Sequence, residues 1–243
     1  MTESIKIISK KEFLKKNKEP NQEEVWDEIS DLWTEFKKKP FFSVEDFLNG
    51  KKGKIIDLGC GCGRNMIQAI DTQYYGIDIS ANQLKAGEQL VKEKGIGAKF
   101  FKSCANKLDK TIFKNEMFDY GLFIATLHCI EGEKERENAL KELYRVLKKG
   151  AEGLISVWNS ADPRFKEVNY HGDIYMSWKK DRKEYYRYYY LYSEEELINL
   201  IKSVGFKILE IKTNLDKTDS STIASSKKDR FDKKNLIIRV IKK

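Results

Sequence analysis

The sequence predicts an α/β protein: a mostly parallel sheet flanked by helices, closed by a terminal pair of strands. Three observations carry this. Strand-like and helix-like segments alternate from about residue 54 to residue 158, the order that builds parallel sheets. The first strand, from Lys54, runs into glycines on alternate positions, Gly59, Gly61 and Gly63. Two apolar segments, about 206–215 and 235–241, end the chain, as a strand pair with one antiparallel member would.

Before the first strand, Val25, Trp26, Ile29, Leu32, Trp33 and Phe36 recur at three- and four-residue steps. They mark one amphipathic helix over 21–36. Pro40 stops it, since the residue before proline avoids the helical region. Residues 42–48 read as a second short helix, and 1–21, polar and lysine-rich, as a flexible arm. A helix over about 64–70 is expected after the glycines. The second strand is about 74–79. Ser80 and Gln83 then form a capping box for a helix to about 94. The third strand is about 98–102. The fourth, Phe118 to Ile124, is almost continuously apolar, as a strand buried on both faces should be. A helix over about 133–147 ends at Lys148-Lys149-Gly150, with the glycine as C-cap. The fifth strand is about 153–158. Residues 159–192 break the alternation and hold eight of the twelve tyrosines. A connection this long points to a substrate-side insertion. Ser193 caps a helix to about 204, and 216–234 reads as an exposed mobile loop. The expected organisation is an arm, 1–21, and one domain, 22–243.

The chain has 243 residues and 40% hydrophobic content, enough for a sizeable core. No apolar run approaches the roughly 18 residues of a membrane span. The first residues lack the apolar block of a signal peptide, so a soluble, cytoplasmic protein is expected, with the nucleus also open to it. Net charge is +8, from 46 basic and 38 acidic residues. That excess favours an anionic partner such as RNA, although a lysine-rich background would give the same balance. The cysteines are Cys60, Cys62, Cys104 and Cys129. None forms a C-x-x-C pair, which argues against a structural metal site.

The chemistry concentrates at the strand tips. A glycine there lets a ligand lie against bare backbone. The spacing is G-x-G-x-G, not the G-x-G-x-x-G of dinucleotide sites. Asp57 lies two positions before Gly59, where a ligand's ammonium group would meet it. Asp78 follows about 20 positions later at the end of the next strand, where a ribose-binding carboxylate is expected. This loop with its two acids resembles the S-adenosylmethionine site of the Rossmann-like methyltransferases. The resemblance implies a seven-stranded sheet and a cofactor site of Asp57, Gly59, Cys60, Gly61, Gly63, Asp78, Ile79, Cys104, Ala105 and Ala125.

Four further segments are similar to one branch, the tRNA wobble-uridine methyltransferases that esterify carboxymethyluridine. They are Val25 to Phe41, Ala125 to Cys129, Asp173 to Trp178 and Arg187 to Tyr192. The chain departs from that branch's pattern in having Lys37 for an arginine, Phe41 for a tryptophan, and Cys129 and Tyr190 for histidines. Cys104 stands where an acid often holds the adenine amine. The resemblance implies transfer of a methyl group from S-adenosylmethionine to a tRNA carboxylate. It also implies a small zinc-ribbon activator subunit, docked at the edge strand near 98–102, where Lys99, Phe100 and Phe101 would offer apolar surface.

Methyl transfer from a sulfonium is an in-line displacement, in which the protein aligns the reactants. A carboxylate is already ionised at neutral pH and needs no base. Only two histidines occur, His128 and His171, and that scarcity suits a carboxylate acceptor. In this reading His128, Arg187 and Lys37 orient the acid or nearby phosphates, His128 and Arg187 being the catalytic pair. Trp178, Tyr188 and Tyr189 meet the substrate. Each also has a plainer reading: His128 as a helix cap, Arg187 as a surface ion-pair member, the tyrosines as alternating strand residues, Trp158 and Trp178 as core. Two other functions fit parts of the pattern. One is a small-molecule methyltransferase acting on a carboxylate, or on arsenite through Cys60, Cys62 and Cys104. The other is a non-catalytic cofactor- or RNA-binding homologue.

Overall fold

The computed structural model describes residues 5–36, 39–168, 172–213 and 235–243. In chain order the elements are β1 (Ile7–Ser9), α1 (Lys10–Leu14), α2 (Gln22–Glu28), α3 (Ser30–Phe36), α4 (Phe42–Leu48), β2 (Gly53–Leu58), β3 (Thr72–Asp78), α5 (Ala81–Lys94), β4 (Ala98–Lys102) and β5 (Phe118–Ile124). A short 3-10 helix, Leu127–Cys129, leads to α6 (Glu133–Val146) and β6 (Leu147–Trp158). A second, Pro163–Val168, precedes β7 (Gly172–Lys180), β8 (Lys183–Leu191), α7 (Glu194–Ser203), β9 (Phe206–Thr213) and β10 (Asn235–Lys242). Among the described residues no helix is long and apolar enough to cross a membrane.

The large sheet has seven strands in the order β4-β3-β2-β5-β6-β10-β9. Its strands are parallel except β10, which is antiparallel to both β6 and β9. This is the seven-stranded, mostly parallel sheet that the resemblance implies. The order reverses between β2 and β5, and an open α/β sheet binds ligands outside the strand ends at such a point. Two apolar layers cover the faces: α6 and α7 with Leu140, Leu143, Leu197 and Ile201, and α4 and α5 with Val44, Phe47, Leu84 and Val91.

A second sheet, ordered β1-β7-β8, comes from the 159–192 insertion and the start of the chain. Asp181 and Arg182, both at positive φ, make the two-residue turn between β7 and β8, a geometry matched to strand twist. Residues 5–21 are therefore not a loose arm. Ile7 to Ser9 pair in register with Ile174 to Met176, and Phe13 is buried against Tyr175 and Tyr186. Lysine content hid a three-residue strand too short to leave a period. The helix expected over 21–36 is two helices, broken at Ile29, whose backbone leaves the helical region. No helix follows the glycine loop. Residues 61–65 form turns, and Ile67 is tethered instead by the Tyr74 hydroxyl, which accepts from its N–H (3.2 Å) and donates to its carbonyl (3.1 Å). Gly150 is not a C-cap: α6 stops at Val146, and β6 begins at once and runs through the glycine. Lys37, His171 and the loop expected over 216–234 lie outside the described residues.

Candidate active site

A cavity of about 970 Å³ opens where the tips of β2, β3 and β5 face the small sheet. On the large-sheet side its wall is backbone. Gly59 has φ +68°, and a Cβ there would fall 2.0 Å from Thr126 Cγ2. Thr126 Oγ1 donates to the Gly59 carbonyl at 3.1 Å, locking the loop onto the end of β5. The Gly61 N–H donates to Asp78 Oδ2 at 2.8 Å, and the Ser80 N–H to Oδ1 at 2.9 Å. Asp78 is thus held in place while still facing the cavity. Burial raises its carboxyl above the usual range, against the pull of those backbone donors.

Eight of the ten cofactor residues read from the sequence line this cavity: Gly59, Cys60, Gly61, Asp78, Ile79, Cys104, Ala105 and Ala125. Asp57 and Gly63 do not. Gly63 sits under the loop, against Phe100 and Met66. Asp57, at the end of β2, is 1% exposed, and neither carboxylate oxygen has a hydrogen-bond partner among the described residues. Burial, with the nearby Asp78 charge, pushes it up to about 8. It lies beneath the loop and is not part of the cavity wall.

On the other side the wall is side chains. His128, in the helical turn after β5, is buried, and its ring stacks on Trp158 (5.1 Å) and Tyr189 (5.6 Å). Trp158 and Tyr189 stack on each other at 4.1 Å. Burial, with the Arg164 charge, lowers His128 to about 3, so its imidazole is neutral at physiological pH.

Arg187, on β8, is 2% exposed. Its guanidinium lies 4.8 Å from the ring of Trp178, 5.3 Å from Trp33, 5.4 Å from Tyr189 and 6.0 Å from Trp26. Its Nε has no hydrogen-bond partner, and no carboxylate among the described residues pairs with it. Trp178 and Tyr189 share the cavity wall. Tyr188, one residue on, points the opposite way because strand residues alternate. It is buried against Phe13 and Tyr175, bonded to Arg136 Nη1 at 2.9 Å and to Asp173, and is not a substrate residue. Trp26 and Trp33 were legible as neighbours on one helical face, seven positions apart, but that spacing reads equally as core. Arg164 and the α2 clamp left no signal. In the clamp, Asp27 accepts from Ser80 Oγ (2.5 Å) and the Asn82 N–H (3.1 Å), while Gln22 bonds the Tyr186 carbonyl (3.2 Å) and Tyr188 N–H (2.9 Å). It ties the small sheet to the N-terminus of α5.

Cys60 and Cys62 are buried, and burial raises both thiols. No group of three metal-ligating side chains occurs among the described residues. The pieces in place are a glycine cradle with a fixed carboxylate at the next strand's tip, which fit a nucleoside, and a caged cation across the cavity, which fits an acid.

Residues 49–205 match the methyltransferase domain family, and the chain belongs to it. A tRNA (carboxymethyluridine(34)-5-O)-methyltransferase of Schizosaccharomyces pombe is 25% identical over 211 residues, 77% of this chain and 89% of the relative. The Saccharomyces cerevisiae protein of the same name is 26% identical over 159 residues, 63% of this chain and 54% of the relative. Among solved structures, a Burkholderia thailandensis 1,6-didemethyltoxoflavin-N1-methyltransferase with bound S-adenosylhomocysteine superposes with a TM-score of 0.61. It is 16% identical, covering 90% of this chain and 84% of the other, and is a likeness of fold.

Proposed function

We propose that the protein transfers a methyl group from S-adenosylmethionine to the carboxylate of a wobble carboxymethyluridine in tRNA, giving the methyl ester. The observation that carries the reading is Arg187: a buried cation with no carboxylate partner among the described residues, facing the cavity that holds the glycine loop. A buried charge without a counter-ion costs several kcal/mol. An acceptor carboxylate offsets that cost on arrival, through charge-assisted hydrogen bonds. Two relatives with the tRNA activity in their names support the choice of acid.

When bound, S-adenosylmethionine supplies an electrophilic methyl carbon and a neutral leaving group. The chain's part is alignment. Gly59 and Gly61 bring backbone against the cofactor, and Asp78 accepts from its ribose hydroxyls. Arg187 holds the acceptor oxygen, and the tryptophans around it fix the guanidinium plane and exclude water. His128, being neutral, packs and orients. It removes no proton, because an acid near pKa ~4 has none to lose at pH 7.

The activator subunit belongs to the same proposal. β4 is the edge of the large sheet and pairs only with β3 among the described strands, leaving an edge for strand addition. Phe100 and Phe101 are half-buried and offer only part of their apolar surface there. Phe100 packs against Gly63, Gly76 and Gly87, and Phe101 against Tyr75 and Phe113. The docking would rest on main-chain bonds.

The test is incubation with S-adenosylmethionine, the activator and tRNA lacking the ester, followed by mass spectrometry of the nucleosides. Appearance of the methyl ester is the expected result. Methylation of free small acids with none on tRNA would overturn the reading.

A further inference from the structure

Three arginines line the cavity. Arg64 lies over Phe41 at 4.0 Å and donates to the Lys39 carbonyl. Arg187 is enclosed by its aromatic cage. Arg164 differs from both. Its partner Asp162 is fully buried and accepts from Nε at 2.9 Å, with Nη2 also 2.9 Å from the same oxygen. Asp162 Oδ1 accepts from Arg164's own backbone N–H at 2.8 Å. The guanidinium lies over Trp158 at 4.9 Å and Phe165 at 5.1 Å. One edge is therefore clamped and one face covered, while Nη1 has no partner among the described residues. The side chain is 36% exposed.

An arginine free on a surface pays rotamer entropy to bind an anion. One already fixed by a buried carboxylate and two rings pays little, and keeps a donor edge aimed outward. Contacts run from Arg164 to Trp158 (4.9 Å), from Trp158 to Tyr189 (4.1 Å) and from Tyr189 to Arg187 (5.4 Å). Two aromatic rings separate the exposed cation from the enclosed one.

We infer that Arg164 is a second anion-binding residue of this site and takes a backbone phosphate of the RNA strand whose carboxylate Arg187 receives. The inference rests on the proposed RNA substrate and deepens it. The enclosed cation selects the acid. The half-exposed one, partly neutralised by Asp162, suits a well-hydrated phosphate that stays at the rim. A free carboxylic acid engages only the first; a nucleotide in a strand engages both.

The experiment compares wild type, Arg164→Gln and Arg164→Lys, each with the activator, on ester-lacking tRNA and on the free 5-carboxymethyluridine nucleoside. Binding of tRNA is followed across a salt series. Arg164→Gln should weaken tRNA binding about tenfold at low salt and reduce the slope of log K against log salt by about one. KM for tRNA should rise by more than kcat falls, nucleoside turnover should change far less, and Arg164→Lys should recover most of the slope. An unchanged slope, or equal losses on tRNA and nucleoside, would overturn the assignment and leave Arg164 as a prop for Trp158. If wild type does not methylate tRNA at all, the proposed function falls whatever the variants do. If it does and Arg164→Gln matches it, only the Arg164 assignment falls.

Discussion

Gly59 and Gly61 meet the cavity with backbone, whereas Arg187 meets it with a side chain held among Trp26, Trp33, Trp178 and Tyr189. The first wall comes from one loop between two adjacent strands. The second is gathered from α2, α3, β7 and β8, segments far apart in the chain. The cofactor wall can fail at a single backbone dihedral. The substrate wall fails when a charge loses its setting. The two kinds of damage should therefore separate in measurement.

The largest effect is expected at Arg187. Arg187→Ala removes a buried charge-assisted contact, a loss of about 2–5 kcal/mol, and should lower kcat/KM for tRNA by roughly 30- to 3,000-fold. S-adenosylhomocysteine affinity by calorimetry should stay within about threefold of wild type. A comparable loss of cofactor affinity would erase the division between the walls. Gly59→Ala is the converse. A left-handed backbone costs a non-glycine residue about 1–3 kcal/mol, and the Thr126 clash adds to it. Cofactor affinity should fall about 10- to 100-fold or more, with the fluorescence of the tryptophan cage unchanged.

Asp57 supplies the pH-dependent case. Its carboxyl is raised to about 8 in the folded protein from 3.8, so the folded state keeps a proton that the unfolded chain has released. Stability from this group is present at low pH and is lost as pH rises from about 4 to about 8. Asp57→Asn carries no such titration. Its thermal stability relative to wild type, measured without cofactor, should rise across that interval by on the order of a few kcal/mol at most. A gap that narrows as pH rises would mean the carboxylate is ionised and satisfied. The smallest effect on catalysis is expected at Tyr188. Tyr188→Phe loses the hydroxyl that joins Arg136 to Asp173 and should cost about 1–2 kcal/mol of stability by chemical denaturation. KM for tRNA should not move, since this side chain points away from the cavity.

The contrast between the walls also explains what was legible in the sequence. The sheet, the glycine loop and Asp78 announce themselves locally, through alternation, spacing and strand-end position. Eight of the ten residues that the resemblance implies as cofactor contacts line the cavity. Asp57 lies off the cavity wall, since spacing gives position along a strand but not which side of the loop a side chain takes. On the substrate side, Arg187 and Tyr189 were readable by resemblance. Tyr188 failed by the strict alternation of a strand, whose phase is fixed only once the partner strand is known. Arg164 was invisible because its meaning depends on Asp162 and Trp158, which only the fold brings under it. The strand at Ile7 to Ser9 was invisible for the same reason: its partner lies in the insertion.

That last pairing sets an order of assembly. The Lys6 N–H is bonded to Ser177 Oγ across 171 residues, while the parallel strands β2 and β3 are joined by residues 59–71 alone. Closing so long a loop is slow compared with pairing neighbours. On a growing chain the cradle of the large sheet can form while the start of the chain still waits for β7. The small sheet can close only once β7 and β8 have emerged, so a nascent chain arrested before them would hold the glycine cradle without Arg187 or its aromatic cage.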